Sequence, residues 1–219
     1  MAVVHNTTLE PSKLELLTSW LPSRPWYRGG TARPELAKAG GFRLDDPQGE
    51  VGIEFIVVTD TSGPQPTTYL VPLTYRGAPL EGAEHALVGT MEHGVLGKRW
   101  AYDGCQDAVL VDRLAALFEG RAQAQDQNRS DVPDREVVAS GSGDGPLPRD
   151  FTAADDQEGT ALTTPQGTTL RLHRVLQPAP AGATLPPRGT IGHVTGSWRT
   201  PDGTRAQGVF AVLHDVGRA

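Results

Sequence analysis

Apolar residues recur along this chain with two different periods. Leu14, Leu17, Trp20 and Leu21 share one face at helical spacing. Ser12-Lys13-Leu14-Glu15 fits a capping box, in which the serine hydroxyl and the glutamate satisfy the free amides of a first helical turn. Pro22 stops that helix, and Pro22 to Pro34 reads as a loop carrying Trp26-Tyr27 between Arg24 and Arg28. From Gly52 to Asp60 the period falls to two: Ile53, Phe55 and Val57 take one face, Ile56 and Val58 the other. A strand apolar on both sides packs on a helix with one face and on a neighbouring element with the other. Thr61-Ser62-Gly63-Pro64 is a turn, and the return strand places Tyr69, Val71, Leu73 and Tyr75 on a common face. Pro72 lacks a ladder donor and predicts an edge strand or a bulge there.

Two further strands, His85 to Met91 and Val95 to Tyr102, flank a turn at Glu92-His93-Gly94. A second helix starts after Asp107 with Leu110, Leu114, Leu117 and Phe118 as its buried stripe. Either Gly120 ends it, or the polar run Arg121 to Gln127 continues it. The next stretch, to about Glu158, is polar and reads as a partly mobile linker whose only strand-like segment is Arg135 to Ser140. Strand periodicity then returns in two hairpins. Glu158 to Thr164 and Thr168 to Leu176 turn at Gln166-Gly167; Ile191 to Trp198 and Ala206 to Leu213 turn at Pro201-Asp202-Gly203. A Pro- and Ala-rich loop, Gln177 to Gly189, separates them. The pattern predicts an α+β chain with mainly antiparallel strands, divided into 1–127, a linker over 128–157 and a second β unit over 158–219.

Composition narrows the function classes. The 219 residues carry 26 acidic and 20 basic side chains, a net charge of -6, with the basic ones scattered. Nucleic acid and membrane surfaces are therefore excluded as expected partners. No stretch approaches the ~18 apolar residues of a membrane span, and the first residues show no secretory pattern, which predicts a cytoplasmic protein. The single Cys105 allows neither an intramolecular disulfide nor a paired-cysteine metal site. High Arg, Ala, Gly and Pro with little Lys and Met is the composition of a high-GC bacterial genome.

Candidate chemistry is sparse. His85 and His93, with Glu92 beside the second, match no compact zinc spacing and read as turn histidines; His5, His173, His193 and His214 are scattered. Cys105 sits just before a helix start, where a dipole lowers a thiol pKa, but without a visible base it reads as a partly buried, inert cysteine. Gly141-Ser142-Gly143-Asp144-Gly145 has neither the lysine nor the strand-to-helix setting of a phosphate loop. Asp45-Asp46 and Asp155-Asp156 are adjacent pairs, not an acid/base pair across a cleft. The aromatics Trp20, Trp26, Tyr27, Trp100 and Tyr102 have two readings, core anchors or a stacking platform for sugar rings.

The segment Leu17 to Gly29, with Arg24-Pro25-Trp26-Tyr27-Arg28-Gly29 after a short helix, resembles the opening of actinobacterial maltokinases. The resemblance continues through Tyr69 to Arg76, Ala86 to Gly89, Trp100-Ala101-Tyr102-Asp103-Gly104 and the helix from Asp107, a little over half the chain. More faintly, Leu170 to Leu176 is similar to the strand that carries the ATP-contacting lysine of such kinases, and Gly196 to Leu213 to the hairpin that follows. Arg171 stands at the lysine position, and a guanidinium is not equivalent to a compact ammonium there. The sequence stops at Ala219, before the catalytic-loop and metal-binding aspartates of a kinase.

The resemblance implies a cystatin-like cap, a curved antiparallel sheet with packed helices, followed by a small β unit like a kinase N-lobe. It implies a non-catalytic accessory or regulatory protein of α-glucan, maltose or trehalose metabolism, without cofactor or metal, whose partner is another protein of that metabolism. Arg24, Trp26, Tyr27, Arg28, Trp100 and Tyr102 are the candidate contact residues. A small-molecule binder, for an α-glucan or a nucleotide, is the alternative. A glucan-modifying enzyme of the branching type is the remaining one.

Overall fold

The computed structural model describes residues 7–141, 145–179 and 190–215. In chain order its regular elements are β1 (Leu9–Glu10), α1 (Lys13–Trp20), β2 (Leu36–Leu44), β3 (Gly52–Asp60), β4 (Thr67–Arg76), β5 (Leu87–His93), β6 (Gly97–Asp103) and α2 (Ala108–Phe118). They continue with β7 (Gln125–Asp126), β8 (Val138–Gly141), β9 (Thr152–Asp155), β10 (Gly159–Thr163), β11 (Thr168–His173), β12 (Val175–Leu176), β13 (Gly192–Arg199) and β14 (Arg205–Asp215). The strands form two antiparallel sheets. The first, which is curled, runs β1-β5-β6-β4-β3-β2-β7, with β12 added to β4; the second runs β8-β13-β14-β11-β10-β9. Among the described residues no helix is long and apolar enough to cross a membrane.

Each helix ends where the local chemistry requires. Glu15 N–H donates to Ser12 Oγ and Ser12 N–H to Glu15 Oε2, so the capping box is complete at the start of α1. Asp107 caps α2 by accepting from Val109 N–H, and Gly120 at φ +70° closes it, its N–H donating to the Leu117 carbonyl.

The two-faced apolar pattern of β3 is explained by what lies on either side. Ile56 and Val58 meet Leu17, Trp20, Leu21 and Trp26 from α1 and the loop after it. Ile53, Phe55 and Val57 face the larger core, built with α2 and the second sheet through Leu110, Leu114, Leu170, Trp198 and Phe210. That core is common to both sheets, so 1–127 and 158–219 are joined by packing.

Three features depart from the sequence reading. The segment 128–157 contributes β8, overlapping the strand-like Arg135 to Ser140, and also β9, which the sequence does not predict, one on each edge of the second sheet. An edge strand needs a ladder on one side only, and these two bury almost nothing, so they carry no apolar alternation. β2 was not legible, because Gly40-Gly41 and a register shift between Lys38 and Gly40 break its period. Pro72 lies in a strand with neighbours on both sides, but it faces the gap between β12, which pairs with Thr68 and Tyr69, and β6, which pairs from Leu73 onward. The missing N–H therefore leaves no acceptor unsatisfied. His5, the centre of the Gly141 to Gly145 run, and most of the Pro-rich loop lie outside the described residues.

Candidate functional site

The sequence candidates fall into separate clusters. Trp26 is fully buried beneath α1, its ring 5.8 Å from Trp20 in an edge arrangement and 6.0 Å from Tyr69. Tyr27 stacks on Tyr69 at 5.6 Å and donates its hydroxyl to Asp60 Oδ2 at 2.8 Å. Asp60 also accepts from the amides of Glu35 and Ser62. Burial opposes its charge, but these donors hold its carboxyl below the usual range, while burial and Asp60 push the Tyr27 phenol up. Arg24 lies 4.7 Å over the Trp20 ring, and the Arg28 amide donates to Tyr69 Oη. These contacts staple the loop 22–34 to the sheet, and a Trp26 buried this way cannot stack on a sugar. Tyr102 is buried elsewhere with Ala83 and Ala86, accepting from the Leu80 amide, and Trp100 is half-buried beside it under Lys98. Arg171 on β11 forms a two-pronged ion pair with Asp156, at 2.8 and 2.5 Å.

Sequence reasoning missed two polar centres. The first is Arg174, fully buried where the chain leaves β11 in the second sheet and enters the first as β12. Its Nη2 reaches both Asp103 oxygens at 2.7 Å, its Nε donates to Thr160 Oγ1, its carbonyl accepts from Leu70 N–H, and its guanidinium lies 5.0 Å from the Trp26 ring. Cys105 is buried nearby with its thiol pushed well up by burial, the inert state and not a nucleophile.

The second is Glu54, which the strand pattern concealed because it occupies an apolar-face position of β3. It is 4% exposed, and its carboxylate accepts from Lys13 Nζ at 2.5 Å, Tyr75 Oη at 2.8 Å and Gln127 Nε2 at 2.9 Å. Burial alone raises its pKa; the Lys13 charge, with hydrogen bonds from Lys13 and Tyr75, outweighs that and holds it below the ordinary glutamate value of 4.5. Its ionised form therefore stabilises the fold above pH 4.5, and that contribution is lost as pH falls through the lower native value. Urea denaturation at stepped pH checks this: the Glu54→Gln variant loses less stability than the wild type between pH 6 and the acid limit.

Gly41 makes the Gln127 contact possible. Its φ is +135°, and a Cβ there would lie 2.5 Å from Gln127 Nε2 and 2.3 Å from the Phe55 carbonyl. Gly41→Ala is expected to cost about 1–3 kcal/mol through backbone strain and the displaced amide, read as a lowered urea midpoint.

Glu54 forms the floor of a cleft of about 350 Å³ between the start of α1, the open ends of β2 to β4 and the tip of the β5–β6 hairpin. Lys13, Arg43, Tyr75 and Arg99 line it, with Glu50 among the wall residues. A second, more open hollow lies between the chain from Asp126 to Glu136 and the β13–β14 hairpin. Among the described residues no group of three or more His, Cys, Asp or Glu side chains is placed to hold a metal ion.

Comparison with known proteins places part of this architecture. Residues 20–107 match the family model of the maltokinase N-terminal cap domain. The match runs from the last residue of α1 to the cap of α2, taking in β2 to β6, Glu54 with Tyr75, and Asp103, but not Lys13 or Gln127. Over that span the protein is maltokinase N-terminal cap-like. No curated protein matches the chain.

Proposed function

Proceeding from a cap-like span packed onto a second sheet, we propose that the chain is a non-catalytic accessory or regulatory module of maltose, trehalose or α-glucan metabolism. Its partner is another protein of that metabolism. The observation that carries this reading is the match of residues 20–107 to a domain named for its place at the N-terminus of maltokinases. The chemistry of the described residues supports it. The one thiol is buried and protonated, and Arg171, at the position that resembles the ATP-contacting lysine, is held by Asp156 instead of standing free for a phosphate. We take the second sheet as a relative of the small kinase lobe with a structural role. The tip of the β5–β6 hairpin is the favoured contact surface, because Val95 is 62% and Leu96 44% exposed at the end of an otherwise polar turn.

A quantitative pull-down from extract of the native host, with the full chain as bait, tests this. Enrichment of an enzyme acting on maltose, trehalose or an α-glucan, abolished by Val95→Asp, is the expected result. Recovery of no such enzyme, or equal recovery with the Val95→Asp bait, contradicts it.

A further inference from the structure

We propose that the cleft above Glu54 binds the phosphate group of a small phosphorylated metabolite, with Arg43 as the principal ligand-binding side chain. This rests on reading the chain as a binding module, but not on the identity of its protein partner. Arg43, on β2 directly opposite Glu54 in the ladder, is half-buried and lines the cleft. Its guanidinium makes no hydrogen bond or ion pair among the described residues. An unpartnered guanidinium lining a cleft is free to donate a charge-assisted pair of hydrogen bonds to an arriving oxyanion. Arg99, on β6, is also half-buried and has only the Lys98 carbonyl on Nη1. Lys13 gives one of its three protons to Glu54.

The two buried carboxylates of the cleft, Glu54 and Asp46, are already engaged. Glu54 receives three donors, and Asp46 turns its oxygens to the amides of Gln48, Glu50 and Val51. Glu50 is exposed. Beside the Gln127 side-chain carbonyl, the charged groups still on offer are N–H donors from two guanidiniums and an ammonium, the donor type that phosphate oxygens match. A neutral sugar would need acceptors as well as donors, and usually a bare ring to stack on; the Tyr75 ring instead carries Lys13 Nζ 5.1 Å from its centre. The volume, about 350 Å³, is at the small end of ligand pockets and suits a compact metabolite.

Isothermal titration of the full chain at fixed ionic strength, with inorganic phosphate, glycerol 3-phosphate, glycerol and malate as probes, tests the site. Both phosphate compounds are expected to bind and glycerol and malate not to. Arg43→Gln is expected to weaken phosphate binding at least tenfold with its melting temperature unchanged in the absence of ligand, and Arg199→Gln, an exposed arginine beside the other hollow, to leave it intact. No binding of either phosphate compound, binding undiminished in Arg43→Gln, or a preference for malate would each overturn the proposal. Phosphate binding that persists when the pull-down fails strikes the partner reading alone; the converse strikes this one alone.

Discussion

Arg174→Ala is expected to lower the stability of the fold by about 3–5 kcal/mol, because it leaves the buried Asp103 carboxylate without its counter-ion. Asp103→Ala is expected to do the same from the other side. Both side chains are withdrawn from water, at 0% and 6% exposure, and the contact is made at the point where the chain passes from one sheet to the other. The pair itself is not the source of the stability. Desolvating two charges roughly cancels their attraction, so the double variant Arg174→Met/Asp103→Leu should fall much closer to the wild type than either single alanine. Urea denaturation gives all three numbers. Single variants that lose under 1 kcal/mol, roughly the value of an exposed pair, would show that the clasp is solvated.

Phe210→Ala carries the second large effect, about 3–5 kcal/mol, through a cavity opened between the sheets. Phe210, on β14, stacks 6.2 Å from Phe42 on β2, which stacks in turn on Phe55 at 4.5 Å, and Trp198 closes the other side at 6.1 Å. The row crosses from the second sheet into the first, so the loss should appear equally in probes of either. Gly196 sharpens the test: a Cβ there would sit 2.1 Å from Phe210 Cε2, so the glycine exists to admit the ring. Gly196→Ala should destabilise the wild type strongly and the Phe210→Ala variant little or not at all. Additive losses would place the ring elsewhere.

What the sequence revealed, and what it hid, follows from burial. Helix α1 was legible because Ser12 and Glu15 state its start and Pro22 its end; β3 and the α2 stripe were legible because their apolar positions keep a strict period. β2 and β9 were not, since a bulge at Gly40 or an edge position removes the need for alternation, whereas β8 overlaps the strand-like Arg135 to Ser140. Among the candidate residues, the aromatic cluster was found by type, but Trp26 and Tyr102 turn out to be anchors inside the fold. Arg174 and Glu54 were overlooked for the opposite reason. A charged residue in an apolar strand looks like an interruption of the pattern, and only the partners brought from 71 and 41 residues away, Asp103 and Lys13, show why it is tolerated. Arg43 had no sequence signal beyond being one arginine among many, since its lack of a partner exists only in three dimensions.

The cap-like span and the second sheet form one cooperative body, clasped at Arg174 and stacked through Phe210, so that any partner meets both together. Native-state amide hydrogen exchange across a urea series tests it most directly. The slowest amides of β3 and β4 and those of β11 and β14 are expected to converge on one unfolding free energy and one denaturant dependence. Two separate plateaus, with the second sheet opening while β3 and β4 stay protected, would contradict it.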